Sequence, residues 1–209
     1  MSVDSQHEEF LAKFGAPKHQ DTIAQWGRIY SRVLVAEHGT NAHRDKLSDS
    51  GMEDIQRQVV ASGTDAHRDK LINSPHMEVR RHIAAIGTDA HRDKLVNDPE
   101  SYVRATVAEH GTDKHRDQLI NDNEDDVRAE VAEHGNDKHR DHLVNDRNAY
   151  VRYTVAEHGN DKHRDHLVND ESPNVRATVA KFGNDKHRTQ LSINRIKHES
   201  VLSTVRKLV

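Results

Sequence analysis

Residues 103–122 read VRATVAEHGTDKHRDQLIND, and the same line returns over 127–146 as VRAEVAEHGNDKHRDHLVND and over 151–170 as VRYTVAEHGNDKHRDHLVND. The step is 24 residues, and glycine marks it along the chain. Gly15, Gly39, Gly63, Gly87, Gly111, Gly135, Gly159 and Gly183 are evenly spaced. Self-similarity at a fixed period of this size signals a repeat architecture, in which each unit packs on its neighbours.

Within one copy, Val103, Val107 and Ala108 fall at i, i+4 and i+5, one stripe of a helix. The spacing predicts a helix A over 99–110, with Asp98 as cap, Pro99 at the first helical position and Glu100 near the positive end of the dipole. Gly111 is expected to end it in left-handed backbone. Asp113 is then expected to cap a short helix B over 114–120 that turns Leu119 and Ile120 inward, and Asn121-Asp122 to form the turn into the next copy. The apolar period is not two, which argues against strands. A single unit has too few large apolar side chains to offset the ordering of its backbone, so the units must share a core by stacking.

The array is expected to form a single domain over 1–209. Its first copy, 7–30, is degenerate, with Pro17 where later copies carry the capping residue and with the chain's one tryptophan, Trp26. Full copies follow over 31–198. Val201, Leu202, Val205 and Leu208 at helical spacing predict a capping helix over 199–209. All four prolines fall in expected turns or first helical positions.

Composition narrows the class. Hydrophobic residues at 33%, charged residues at 32% and aromatics at 4% are poor material for a globular core. The net charge of -4 is nearly balanced, which fits neither a polybasic binder nor an acidic mimic of nucleic acid. Without cysteine there is no disulfide framework, thiolate nucleophile or cysteine zinc site. No secretory leader is legible in MSVDSQHEEF, and no apolar run approaches a membrane span, so a cytoplasmic protein is expected.

The unit resembles short α-helical solenoid repeats of the HEAT-like kind, and especially the leucine-rich repeat variant, with its V-R-x-x-V-A core. Val103-Arg104, Val107-Ala108 and Leu119, with counterparts in most copies, carry this resemblance. It implies an all-α fold, a right-handed α-solenoid of about eight two-helix repeats, and a binding or scaffolding role.

Several polar motifs invite a functional reading. His115-Arg116-Asp117 with Asn121 looks like a kinase catalytic loop, but the asparagine stands four residues after the aspartate, not five, and no glycine-rich phosphate loop or DFG accompanies it. Of 18 histidines, eight share one slot (His19, His43, His67, His91, His115, His139, His163 and His187), and His38, His110, His134 and His158 share another. His110 and His115 could meet a metal with Asp117 nearby. A group present in every unit is better explained as stacking glue, the ring half-buried and bonded to a turn carbonyl, so no metal and no cofactor is expected. Arg104, Arg128, Arg152 and Arg176 are expected to pair with Asp117, Asp141 and Asp165 between units.

The expected activity is binding without catalysis. The surface positions of helix A vary while its core does not, and Arg81, His82, Tyr102, Glu130, Tyr150 and Tyr153 are the candidate contacts for a protein partner. The second reading is a nucleic-acid-binding stripe on helix B, formed by Lys114, Arg116, Lys138, Arg140, Lys162 and Arg164, with His142 and His166 one turn on. No membrane partner is expected.

Overall fold

The computed structural model describes residues 3–194, and every regular element among them is helical. The expected capping helix over 199–209 lies outside the described residues. The chain divides into two compact units, Met1–Gly111 and Thr112–Val209.

The first unit holds α1 (Val3–Phe14), α2 (Pro17–Trp26), α3 (Ile29–His38), α4 (Asn41–Ser48), α5 (Glu53–Ser62), α6 (Asp65–Leu71), α7 (Met77–Ile86), α8 (Asp89–Leu95) and α9 (Ser101–His110). The odd-numbered helices, the A helices of successive repeats, stack side by side, and the even-numbered B helices flank them. The second unit holds α10 (Asp113–Leu119), α11 (Asp125–His134), α12 (Asp137–Leu143), α13 (Ala149–His158), α14 (Asp161–Leu167) and α15 (Pro173–Phe182), followed by a helical segment over 185–194. There α11, α13 and α15 form the A row, and the B helices pack beside it. Each unit is thus an α-solenoid of stacked helical pairs.

The seam read from the sequence is the core. Val127, Val131 and Ala132 of α11 and Val151, Val155 and Ala156 of α13 are fully buried, with Leu143 and Leu167 closing the B side. Each large apolar side chain contributes about 1.5–3 kcal/mol by leaving water.

Three local expectations are corrected. First, α9 starts two residues later than predicted, because Asp98 is not its cap. The Asp98 carboxylate instead receives the Arg80 guanidinium through two hydrogen bonds of 2.7 and 2.9 Å and the Glu100 N–H at 3.0 Å. Second, the cap of helix B is the residue before the expected aspartate: Thr112 for α10, Asn136 for α12 and Asn160 for α14. Asn160 Oδ1 accepts the backbone N–H of Lys162 and His163, leaving Asp161 as the acidic first residue of the helix. Third, the glycine between A and B is not left-handed. Gly159 has φ −79° and ψ 176°, extended backbone, and among the described residues only Gly51 has a positive φ, 65°. Glycine is needed there for space. A Cβ on Gly159 would stand 2.5 Å from the Val155 carbonyl oxygen and 2.9 Å from His163 Nδ1.

Candidate binding surface

The repeated histidine closes that tight turn. In α14, the Asn160 backbone N–H donates to His163 Nδ1 at 3.0 Å, while Asn160 Oδ1 accepts from the His163 N–H at 3.3 Å. This is a capping box with imidazole in the place usually held by glutamate or glutamine. Because Nδ1 accepts, the ring proton sits on Nε2, which faces Asp141 Oδ1 of the preceding repeat at 3.1 Å. His139 Nε2 hydrogen-bonds Asp117 Oδ1 at 3.0 Å, whereas His187 Nε2 lies 3.2 Å from Asp165 Oδ1 and, like His163 Nε2, is close to its carboxylate without hydrogen-bond geometry. The rings are fully buried and accept a backbone N–H, where half-buried rings on a turn carbonyl were expected. His115 is held in such a box by the Thr112 N–H, at 3.0 Å.

The arginine ladder exists with a different partner. Arg128 donates from Nε and Nη2 to Asp146 at 2.6 and 2.9 Å, and Arg152 likewise to Asp170 at 2.7 and 3.0 Å. The acceptor is the aspartate of the Asn-Asp turn, not Asp117, Asp141 or Asp165, which serve the histidines. Arg128 and Asp146 are both nearly buried, with side chains 5% and 7% exposed. Burial pushes the Asp146 carboxyl up. Hydrogen bonds from Arg128 and the Asn148 N–H, with the charges of Arg128 and Arg147, outweigh it and hold the group below its ordinary value. Asn136 and Asn160 add a third link, donating to Asp113 and Asp137 of the preceding repeats at 2.8 and 2.9 Å.

These links absorb much of the proposed basic stripe. Arg140 and Arg164 turn inward: Arg140 donates to the Ala132 and Glu133 carbonyls at 2.9 and 2.8 Å, and Arg164 to Ala156 and Glu157 at 2.9 Å each. They cap the negative carbonyl ends of α11 and α13. Arg116 pairs with Asp113 at 3.3 Å. Lys114, Lys138 and Lys162 are exposed, and Lys162 pairs with Asp141 at 2.8 Å.

The candidate partner contacts fall in both units. In the first, Arg81 is exposed and pairs with Glu78 at 2.9 Å, and Tyr102 is 61% exposed. His82 is half-buried, and its buried Nδ1 has no hydrogen-bond partner. Burial, then the charges of Arg57, Arg68 and Arg81, hold its pKa below the ordinary imidazole value. His82 borders a groove of about 530 Å³ across α3, α5 and α7, lined also by Ile29, Tyr30, Val33, Asp54, Arg57, Gln58 and Ala61. Ile29 and Tyr30 are 51% and 58% exposed. Sequence reasoning missed them because they open the first regular A helix, where the repeat is loosest. In the second unit, Tyr150 and Tyr153 lie parallel with ring centroids 6.3 Å apart, and Glu130 pairs with His134 at 3.3 Å. Burial and then Glu130, Asp126, Glu133 and Glu157 raise the Tyr150 hydroxyl pKa, the signature of a negative patch.

Stacked 24-residue helical pairs with interlocking polar turns define an α-solenoid helical-repeat protein. No family model matches the chain, and no curated protein does. Among solved structures it is similar to one described as a leucine-rich repeat variant with a novel repetitive protein structural motif. The TM-score is 0.73 at 17% identity, over 90% of this chain and 82% of that one. At that identity the likeness is one of fold, and the expected resemblance to the leucine-rich repeat variant holds at that level. No described helix is long and apolar enough to cross a membrane.

Proposed function

We propose that the chain is a non-enzymatic scaffold that presents its A-helix surface to a protein partner. The observation that carries this reading is the groove across α3, α5 and α7. It sets exposed Ile29 and Tyr30 beside Asp54, Arg57 and His82 on helices held rigid by their stacking. Apolar anchors ringed by charge on a pre-formed surface favour protein association, since little freedom is lost on docking. The inward-turned Arg140 and Arg164 count against nucleic acid, because guanidinium groups spent on helix ends are withheld from phosphates.

The test is affinity capture from nuclease-treated native lysate at low and high salt, comparing wild type with a Tyr30→Ala/Arg57→Glu chain. A protein retained by wild type and lost by the variant supports the reading. Identical capture by both chains, or capture only of nucleic acid when nuclease is omitted, refutes it.

A further inference from the structure

On α11, Glu130, Glu133 and His134 stand at i, i+3 and i+4, so one helix face carries all three. Their donor atoms lie within 4.8 Å of one another. His134 Nε2 is 3.3 Å from Glu130 Oε2 and 4.0 Å from Glu133 Oε1. From α13, His158 brings its Nε2 to 3.9 Å from the same Glu133 oxygen. Two carboxylates and one imidazole therefore gather on one helix face, with His158 of the packed helix beside Glu133 alone.

The repeat itself shows that this grouping is a departure. The slot of Glu130 holds threonine in the neighbouring copies. Thr106, Thr154 and Thr178 are buried there, each donating its hydroxyl to the carbonyl four residues back, at 2.9, 3.1 and 3.0 Å. Adjacent Glu-His pairs also occur at Glu37-His38, Glu109-His110 and Glu157-His158, but with leucine or threonine three residues before the glutamate. Only in α11 does a carboxylate replace the threonine and supply a third donor.

We propose that Glu130, Glu133 and His134 bind one divalent transition ion of the zinc type, leaving the fourth position to water. In a tetrahedral zinc site with bonds of about 2.0–2.1 Å, neighbouring donors are about 3.3–3.4 Å apart. The observed 3.3 and 4.0 Å separations are close enough for small side-chain rotations to close them. A set of two carboxylates and one imidazole suits zinc, and its two negative charges balance the ion. The side chains remain partly exposed, so the ion has a path in. The surrounding Asp126 and Glu157 extend the negative field that draws a cation there. None of these donors lines the groove on which the partner reading rests, so the two proposals can fail separately.

The test is calorimetric titration of Zn²⁺ into the full, untagged chain at neutral pH. Wild type is compared with Glu130→Thr, which restores the residue of the adjacent repeats and so keeps the fold, and with His134→Ala. Each variant is expected to bind at least about tenfold more weakly. His110→Ala, which alters a Glu-His pair lacking the third donor, is expected to leave the affinity unchanged. Equal affinity and stoichiometry for wild type and Glu130→Thr, no saturable binding by wild type, or an equal loss in His110→Ala would overturn the proposal.

Discussion

Replacing Asp146 with serine should be among the most damaging single changes in the second unit. The change strips both carboxylate bonds, of 2.6 and 2.9 Å, from a guanidinium whose side chain is only 5% exposed. Removing one partner of a buried pair costs about 3–5 kcal/mol, because the remaining charge is left uncompensated. The chain supplies its own neutral replacement. Three repeats upstream, the arginine slot holds Gln56 and the aspartate slot Ser74, joined by a buried 2.6 Å bond from Ser74 Oγ to Gln56 Oε1. The double variant Arg128→Gln/Asp146→Ser copies that pair and should lie within about 1–2 kcal/mol of wild type, since a neutral pair needs no buried charge. Urea unfolding followed by helical circular dichroism measures both. The pair also predicts a pH effect. The Asp146 carboxyl is depressed in the folded chain, so its contribution is complete above its unfolded value, about 3.9, and fades as pH falls through its lower native value. Below about pH 4 the stability of the double variant should therefore fall less steeply than that of wild type. A single variant costing under about 1 kcal/mol, the range of an exposed pair, would refute the reasoning, as would a double variant no better than the single.

Two further outcomes follow from the turns. His163→Ala removes both the acceptor for the Asn160 N–H and a fully buried ring, and should cost about 2–4 kcal/mol. His163→Gln should recover part of this, because glutamine is an ordinary partner in a capping box, and thermal midpoints rank the three chains. Gly159→Ala should destabilise by about 1–3 kcal/mol in urea unfolding, since its Cβ would press on the Val155 carbonyl. Were the position left-handed, alanine would be strained by its φ; at φ −79° only the crowding remains.

The period, the helical pairs and the Val-Ala-Leu seam were legible because they depend on spacing along one chain. The pairing of polar groups was not. The copies that begin at Val79, Val103, Val127 and Val151 each carry an arginine in the V-R core and aspartates in both the HRD segment and the Asn-Asp turn. Sequence distance does not say which aspartate Arg128 reaches, and helix packing directs it to Asp146. The histidine slot was visible as a repeat, yet its role depends on which ring nitrogen meets the N-cap N–H, a matter of angle within a two-residue turn. Among the surface residues, Tyr102 and Tyr150 were read correctly as exposed, while Arg140 and Arg164 looked exposed on a helical wheel and fold back onto carbonyls. The donor group on α11 was within reach of the sequence, as Glu-x-x-Glu-His at helical spacing. Glu130 stands out in the sequence as a varying surface position and reads there as a partner contact, because spacing alone does not give the donor distances.

The central claim is that 24-residue modules hold one another through a seam repeated at every step. Its most direct test is excision of residues 127–150, which joins Asp126 to Val151 and leaves the register intact. Far-ultraviolet circular dichroism and urea unfolding of the shortened chain should show unchanged helicity per residue and a cooperative transition at a lower midpoint. Loss of helical signal, or unfolding without a transition, would mean that the fold depends on more than neighbouring modules and would contradict the account.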